Sequence, residues 1–374
     1  MRTELCDRFG VRYPIFVFTP SERVAAAVSR AGGFGVLGCV RFNEADELES
    51  VLTWMDENTH GMPYGVDIVM PAKVPTEGTA VDIDKLVPQG HRDFVDRTLT
   101  SLGVPPLPGG SERSEGVLGW LHSVARSHVE VALRHPIKLI ANALGSPPGD
   151  VIEQAHRSGV PVAALAGTAA HARRHADNGV DVVVAQGYEA GGHTGEIASM
   201  VLVPEVVDAL AGRAPVLAAG GIGTGRQVAA ALALGASGVW MGSAFLTASE
   251  YDLGVRHESG VSVIQRALLN ATSSDTVRRR IYSGKPARLL KSRWTDAWDA
   301  ADAPEPLPMP LQNVLVSEAH ARMSQSSDPT AVAMPVGQIV GRMNEIRPAA
   351  DIIAELVTGF DAAARRLNGI ADPQ

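Results

Sequence analysis

The sequence predicts an α/β fold, a (β/α)8 TIM barrel with an insertion after strand 3 and a C-terminal helical appendage. Eight short apolar runs alternate with amphipathic or alanine-rich segments over the first two thirds of the chain. Glycine-rich loops follow several of these runs, and no dinucleotide-binding glycine fingerprint follows the first one. An open doubly wound sheet would produce a similar alternation. The number of runs and the spread of the glycine-rich loops favour the barrel.

The apolar runs have the length and composition of buried parallel strands. The predicted strands are Pro14–Phe18, Gly35–Gly38, Tyr64–Val69, Ile137–Ile140, Pro161–Leu165, Asp181–Ala185, Pro215–Ala219 and Gly238–Met241. The predicted helices between them are Ser21–Ala31, Glu44–Glu57, Gly149–Arg157, Ala169–Asn178, Pro204–Leu210 and Gly225–Leu234. Several helices stop at a glycine, at Gly159, Gly179 and Gly235, which is typical of helix C-caps.

Two segments interrupt the alternation. Residues 1–70 and 135–250 are predicted to form the barrel. Residues 71–134 are predicted to be an insertion near the barrel mouth, and residues 251–374 a C-terminal helical region that covers the substrate. Loops of this length in a compact domain usually have a function or contain helices of their own. A last helix is predicted over Pro348–Leu367.

The composition limits the classes of partner. The chain has 374 residues, 45% of them hydrophobic, which is enough for a large core. Its net charge of −8 argues against nucleic acid or an anionic membrane as the main partner. Two basic clusters, Arg278–Arg280 and Lys285–Arg293, are predicted to be solvated helix faces and loop charges.

The cysteines and the N-terminus indicate a cellular location. Cys6 and Cys39 are the two cysteines of the chain, and they are predicted to be small, buried or half-buried residues without a disulfide framework. The N-terminal residues lack an apolar signal core, and no run approaches the roughly 20 residues that cross a bilayer. We therefore expect a cytoplasmic protein in a reducing compartment, without a membrane partner.

The segment Gln186–Gly195 places His193 among glycines directly after a predicted strand. Chemistry in parallel α/β folds concentrates at the C-terminal ends of strands, and histidine titrates near neutral pH. His193 is therefore the leading candidate for a catalytic base. Glu189 could pair with His193, hold a ligand hydroxyl or be a solvated carboxylate. The amide of Gln186 could bind a ligand edge or satisfy neighbouring backbone.

Two further glycine clusters follow the seventh and eighth strands. They contain Ala219, Gly220, Gly221 and Gly223 in the first and Gly242 and Ser243 in the second. Backbone N–H groups in these loops can converge on a phosphate, and barrel phosphate sites commonly lie after strands seven and eight. The sequence therefore predicts a phosphate site.

No metal site is predicted from the sequence. His171 and His175 have helical i, i+4 spacing, but no catalytic carboxylate lies between them, and a solvated helix face is the better interpretation. The sequence also lacks a GxSxG elbow and a Walker A loop. These absences remove the commoner hydrolase and kinase interpretations.

Taken together, these residues make the chain resemble the nitronate monooxygenase family, formerly called 2-nitropropane dioxygenases, which are FMN-dependent barrels. The most specific match is Gln186–Gly195, close to the family pattern Q-G-x-E-A-G-G-H-x-G. The first strand, the core from Asp181 to Leu246 and the segment Ser283–Arg288 also match.

The resemblance implies roles for individual residues. His193 would be the base that takes the proton α to the nitro group, and Ala190, Gly191 and Gly192 would lie along the flavin. The FMN phosphate would be bound by residues of the two later loops, Ala219, Gly220, Gly221, Gly223, Gly242 and Ser243. Gln186 is at the end of the strand that leads to His193.

Two positions depart from the family pattern. The resemblance implies that Phe18 and Thr19 lie near the isoalloxazine ring, but the loop reads Phe16-Val17-Phe18-Thr19-Pro20 instead of the usual Ala-Pro-Met. Asp67 stands where the family usually has asparagine. A carboxylate there would disfavour nearby negative charge unless it is hydrogen-bonded or protonated.

Three functions are compatible with this pattern. The first is FMN-dependent oxidation of an alkyl nitronate or a similar carbon acid with O2. The second is NAD(P)H-dependent flavin reduction of enoyl thioesters of CoA or acyl carrier protein, or of quinones. The third is a barrel that binds a phosphorylated ligand without catalysis, against which His193 argues. All three imply a small-molecule partner, with O2 or NAD(P)H as a second reactant in the first two, and a homodimer is compatible with the sequence.

Overall fold

A computed structural model describes residues 1–70, 86–107, 122–256 and 260–371. Within these residues, eight parallel strands form a closed barrel in the order β1-β2-β3-β4-β5-β6-β8-β9. The strands are β1 (Ile15–Thr19), β2 (Phe34–Gly38), β3 (Tyr64–Asp67), β4 (Ile140–Asn142), β5 (Val162–Ala166), β6 (Val182–Gln186), β7 (Gly192–His193), β8 (Val216–Ala219), β9 (Gly238–Met241), β10 (Thr276–Arg279) and β11 (Ala287–Leu290). Strands β10, β11 and β7 form a separate antiparallel sheet. The predicted barrel is confirmed, and each predicted strand overlaps one barrel strand.

Helices surround the barrel and extend from it. They are α1 (Glu4–Phe9), α2 (Glu22–Arg30), α3 (Ala45–Asn58), α4 (Gln89–Ser101), α5 (His122–Ala132), α6 (Gly149–Arg157), α7 (Ala169–Asp177), α8 (Ser199–Leu210), α9 (Gly225–Ala233), α10 (Val263–Leu269), α11 (Arg293–Trp298), α12 (Leu311–Gln325) and α13 (Ala349–Ala371). The glycines at 159, 179 and 235 have φ of 70°, 88° and 95°. These left-handed conformations confirm the predicted C-caps.

The barrel has a packed interior that is closed at its lower end by α1. Phe9 of α1 lies edge-on against Phe16 and Phe34 of the first two strands, with ring centroids 5.2 and 5.3 Å apart. Apolar side chains from the other strands complete this interior cluster. Because the lower end is filled, a ligand can approach only at the opposite rim, where the strands end.

The helix α5 belongs to the outer layer of the barrel. It lies in the segment 71–134, for which the sequence predicts an insertion, but it packs against α3. Its buried residues Ala125 and Val129 belong to the cluster between strands and helices. Residues 71–85 and 108–121 of the predicted insertion lie outside the described residues.

The last helix also belongs to the barrel. α13 packs against α9 and α2, so it closes the helical layer between the last strand and the first. The contact with α9 is close, since a Cβ on Gly225 would lie 2.2 Å from the carbonyl oxygen of Leu356. Residues 251–348 are therefore inserted between β9 and its helix, whereas the sequence pattern indicates one C-terminal appendage.

A second core lies outside the barrel and joins two distant segments. α4, from the predicted insertion, packs against α12, and Phe94 of α4 contacts Trp298 of α11 with ring centroids 4.9 Å apart. Trp294 and Val316 are fully buried in the same cluster. The insertion and the C-terminal region thus share one apolar core.

The two cysteines form no disulfide. Cys6 and Cys39 are both buried and free, as predicted. Among the described helices, none combines the length and apolar character needed to cross a bilayer.

Candidate functional site

The strand registers bring the predicted site residues to one rim of the barrel. Val17 of β1 lies beside Met241 of β9, so Phe18 and Gly242 follow at the same level. Gln186 of β6 lies beside Ala219 of β8. Asp67 ends β3. The residues predicted around the cofactor therefore lie at the C-terminal ends of the strands.

The backbone around His193 is held by two neighbouring segments. Strand β7 pairs with β11, and this pairing places His193 opposite Ala287. On the other side, a Cβ on Gly191 would lie 2.7 Å from the backbone nitrogen of Gly337. Glycine is required at position 191 because any side chain would displace that segment.

His193 interacts with a serine that its sequence context does not single out. Its Nε2 lies 2.6 Å from Oγ of Ser283, which is fully buried. Burial lowers the pKa of His193 to about 4, and the positive charge of Lys285 acts in the same direction. The imidazole is therefore neutral at pH 7.

A cavity of about 760 Å³ borders His193 on the side of β4, β5 and β6. Gln186, His193 and Lys285 line it together with residues 143–149, which follow β4. Among the described lining residues, the charged side chains are basic: Lys285 and Arg174 are the two cations. The cavity is therefore suited to an anion or an electron-rich group next to the imidazole.

An aromatic pair lies on the other side of His193. The ring of Tyr282 is edge-on to His193 at a centroid distance of 6.4 Å. The same ring is stacked on His320 at 4.9 Å with an interplanar angle of 18°. Tyr282 therefore separates His193 from the second core.

Two arginines fix the loop that contains His193. The guanidinium of Arg288 donates to the carbonyl oxygen of Tyr188 at 3.0 and 3.2 Å and lies 4.5 Å from the centre of the Tyr188 ring. Arg278 donates to Oγ1 and O of Thr194 at 2.9 Å. The prediction that these basic clusters are solvated is wrong for Arg288, which is 3% exposed, because its charge is used to bind backbone oxygens.

Glu189 supports a helix. Its carboxylate accepts hydrogen bonds from the backbone nitrogen of Ser199 at 3.0 and 3.2 Å and from the Ser199 hydroxyl at 3.0 Å. Ser199 begins α8, whose N-cap residue, Ala198, provides no side-chain cap. The geometry therefore gives Glu189 a role that differs from the three left open by the sequence: it stabilises the positive end of the helix.

The glycine loops after β8 and β9 form an open cradle. Gly220 and Gly221 have φ of 93° and 70°, and a Cβ on Gly220 would lie 3.1 Å from the nitrogen of Ala190. In the next loop, Oγ of Ser243 accepts the backbone N–H of Gly337 at 2.9 Å. Consecutive left-handed glycines beside a loop at a helix N-terminus suit a phosphate.

Gly223 has a different local role. Its backbone N–H donates to Oε1 of Gln227 at 2.9 Å, inside the first turn of α9. A Cβ at position 223 would lie 1.9 Å from Cδ1 of Ile339. Gly223 therefore permits close packing of the segment that follows the cradle, and its N–H is engaged within the protein.

Asp67 carries a polar atom that suits a ligand. The side chain is 2% exposed, and Oδ1 has no hydrogen-bond partner among the described residues. Burial raises the pKa of Asp67 to about 7, although a hydrogen bond from the backbone of Ala143 acts in the opposite direction. An orphaned carboxyl oxygen at the rim is costly unless a ligand satisfies it. Together with the glycine cradle, it fits a bound cofactor that has a phosphate and a hydrogen-bonding ring system.

His175 corrects one prediction about the histidine pair. His171 is exposed as expected, but His175 is buried, with Nδ1 2.7 Å from Oγ of Ser146 and Nε2 3.0 Å from the carbonyl oxygen of Leu165. It is held by hydrogen bonds because burial of an unpaired imidazole would be unfavourable. In the part of the chain that the structure describes, no cluster of three or more potential metal ligands occurs.

Comparison with known proteins identifies a family that spans most of the chain. Residues 3–359 match the family model described as nitronate monooxygenase. The Mycobacterium tuberculosis protein Rv1533, whose name describes it as a monooxygenase, is 49% identical over 99% of both chains.

Two solved structures are similar to the chain over almost its whole length. A nitroalkane oxidase from Streptomyces ansochromogenes is 26% identical with a TM-score of 0.78, covering 97% of this chain and 99% of that one. FabK from Thermotoga maritima is 25% identical with a TM-score of 0.73, covering 99% of each chain.

Proposed function

The chain belongs to the nitronate monooxygenase family, and from this premise we propose that it is an FMN-dependent oxidoreductase that oxidises an alkyl nitronate or a similar carbon acid with O2. The observation that carries the proposal is the position of His193. It lies at the same barrel rim as the glycine cradle and the orphaned Asp67 oxygen, with Nε2 2.6 Å from Ser283. The members of this family are oxidoreductases, so we drop the hypothesis that the barrel binds a phosphorylated ligand without catalysis.

The residues assigned to FMN divide between two ends of the rim. The phosphate would be held by the loops at Gly220, Gly221, Gly242 and Ser243, where the positive φ angles of Gly220 and Gly221 and the backbone N–H groups of both loops suit an anion. Asp67 would hydrogen-bond the ring system. When bound, FMN supplies the redox chemistry, taking electrons from the substrate carbon and passing them to dioxygen.

The protein side of the reaction depends on a neutral imidazole. His193 has a pKa of about 4, so it is a weak base toward a carbon acid at neutral pH. A substrate that arrives as a nitronate removes this difficulty, because it has already lost its α-proton and needs no base. In this proposal His193 orients the nitronate through a hydrogen bond, Ser283 fixes the ring, and Lys285 provides positive charge at the cavity.

The alternative function is NAD(P)H-dependent reduction of an enoyl thioester or a quinone. The similarity to FabK favours it. The basic residues that would have to bind a phosphorylated thioester are engaged within the protein, which argues against this function. Arg278 and Arg288 bind the His193 loop, and Arg279 pairs with Asp299. A cytoplasmic location remains part of the proposal, supported by the free, buried cysteines.

Anaerobic reduction of the purified protein tests this function. The protein should purify with FMN, and mixing with propyl-2-nitronate should bleach the visible flavin absorbance. The same mixture with His193→Gln should bleach slowly while FMN stays bound. A protein that binds no FMN would overturn the cofactor assignment. Rapid bleaching by NADPH, with none by the nitronate, would favour the reductase.

A further inference from the structure

A second cavity of about 660 Å³ lies between the barrel rim and the second core. Its barrel wall includes Pro20, directly after the β1 loop, and Arg41 after β2. Its opposite wall is α12, with Met334 and Pro335 beside it. Cavities of roughly 300–1,000 Å³ hold ligands of the size of a drug molecule. The space is therefore far larger than a three-carbon nitronate requires.

The wall formed by α12 is polar where a helix in a core would be apolar. Its cavity-lining residues include Asn313, Ser317, His320 and Ser324, which recur at helical spacing and so share one face. The apolar residues of the same helix are buried in the second core. The sequence therefore directs a polar face of α12 into an interior space.

Two side chains on this face have hydrogen-bonding capacity to spare. Asn313 is 8% exposed, and its amide makes no hydrogen bond to any described residue. Nε2 of His320 is buried and has no partner among the described residues. Ser317 and Ser324, by contrast, donate to carbonyl oxygens of their own helix. Buried polar groups without partners are rare unless a ligand or water satisfies them.

The charges at this cavity are balanced within the protein. Arg41 pairs with Glu22 at 2.5 Å, and Asp252 pairs with Arg23 at 2.8 Å. His320 is neutral at pH 7, since burial lowers its pKa to about 4. A ligand in this space therefore contacts hydrogen-bonding groups and apolar walls. The described lining residues carry no unpaired charge that would attract an ion.

The cavity adjoins the reaction site through one ring. Tyr282 lines the cavity, stacks on His320 at 4.9 Å and lies 6.4 Å from the His193 ring. Pro335, on the cavity wall, precedes Val336, whose backbone packs against Gly191. Tyr282 and residues 336–337 therefore lie between this cavity and the His193 loop, so the two sites adjoin across a single layer of residues.

We propose that this cavity binds the uncharged distal part of an elongated substrate: an aliphatic chain with a hydroxyl or carbonyl group that hydrogen-bonds to Asn313 and His320. The inference rests on the proposed function and narrows its substrate class. The proposed substrate is longer than a small nitroalkane, which would leave this cavity empty.

Turnover of a nitronate series tests the inference. The probes are alkyl-1-nitronates of increasing length and the long member with a terminal hydroxyl. In the native protein, kcat/KM should rise about fourfold for each methylene group that the cavity buries. Ser317→Leu should remove this rise and leave the shortest nitronate unchanged, whereas Ser317→Ala is the matched control that keeps the space. Asn313→Leu should cost the hydroxylated nitronate roughly fivefold relative to its plain analogue.

Ligand binding separates this inference from the proposed function. Thermal shifts of the FMN-bound protein with 1-octanol and 1,8-octanediol should be larger for the native chain than for Ser317→Leu, whether or not nitronates are oxidised. If no nitronate is oxidised but these shifts differ, the function fails and the cavity assignment stands. A native protein without chain-length preference, or equal ligand shifts in Ser317→Leu and Ser317→Ala, would overturn the inference.

Discussion

Nε2 of His193 lies 2.6 Å from Oγ of Ser283, a residue 90 positions further along the chain. Ser283 belongs to a segment that the second core holds in place. Gly284, with φ of 88°, lies so close to residues 307–309 that a Cβ would be 2.4 Å from the nitrogen of Met309. The orientation of the imidazole is therefore set from outside the barrel, by the segment inserted between β9 and α13.

This pairing predicts a graded loss of activity. His193→Gln should lower kcat/KM for a nitronate by about 10²–10³-fold, the usual cost of disturbing a hydrogen bond to a reacting anion. Ser283→Ala should cost roughly tenfold, because it removes the hydrogen bond that orients the ring and leaves the ring itself. Steady-state kinetics at saturating FMN measures both. Equal losses in the two variants would show that Ser283 contacts the reacting atoms directly.

The pKa of His193 predicts its titration. Because burial depresses the folded pKa to about 4, His193 should stay neutral down to about pH 5. The folded state then binds fewer protons than the unfolded state between about pH 4 and 6.5, so this group destabilises the fold as pH falls through that window. NMR of labelled histidine, assigned with His193→Gln, measures the titration. A midpoint near 6.5 would contradict the prediction.

Asp67 should have the opposite pH dependence. Its folded pKa of about 7 lies above the ordinary value, so the folded state holds a proton that the unfolded state loses. Stability of the cofactor-free protein should therefore fall as pH rises between about 4 and 7, by at most about 4 kcal/mol at 1.36 kcal/mol per pKa unit. Asp67→Asn should remove this fall. Urea unfolding at pH 5 and 7.5 tests it, and an equal change in stability in both proteins would refute it.

The glycine cradle predicts a loss of FMN affinity. In Gly220→Ala the new Cβ would lie 3.1 Å from the nitrogen of Ala190 and from the carbonyl oxygen of Gly187. The loops around the phosphate would have to move apart, and FMN affinity should fall at least about tenfold, equivalent to ~1.4 kcal/mol. Gly212→Ala is the matched control, since Gly212 also has a positive φ but a Cβ added there would meet no atom within 4 Å. Fluorescence titration of FMN compares the two, and equal affinities would contradict the assignment.

The arginine that holds the His193 loop predicts a difference in stability. Arg288→Met leaves the carbonyl oxygen of Tyr188 without its donor in a buried setting, which should cost about 1–3 kcal/mol of unfolding free energy. Arg279→Met removes a more exposed pair with Asp299 and should cost less than about 1 kcal/mol. Denaturant unfolding with FMN bound measures both. A larger loss for Arg279→Met would mean that Arg288 does not support the loop.

The barrel and the rim can be predicted because their signals are local. Apolar runs and C-cap glycines depend on residues close in sequence, and the overlap of all eight strands follows from that. The glycines at 220 and 221 are predictable for the same reason, since their left-handed φ angles select the residue type.

Contacts between distant segments cannot be predicted in this way. Ser283 lies in a segment that matches the family, but nothing near it in sequence indicates His193 as its partner. Arg288 resembles a surface charge in the sequence because the carbonyl oxygen that it binds is 100 residues away. α13 resembles part of an appendage because its partners α9 and α2 precede it by a long interval.

The position of α13 has a consequence for synthesis of the protein. All eight barrel strands have been made once Met241 is added, but the groove between α9 and α2 is not covered until residues 349–371 follow. At roughly 5–20 residues per second, that interval lasts about 5 to 20 s. During it the apolar side chain of Val28, which approaches Ile353 beside Gly33, has no cover from the last helix. The nascent barrel thus passes through a defined interval in which this apolar seam is uncovered.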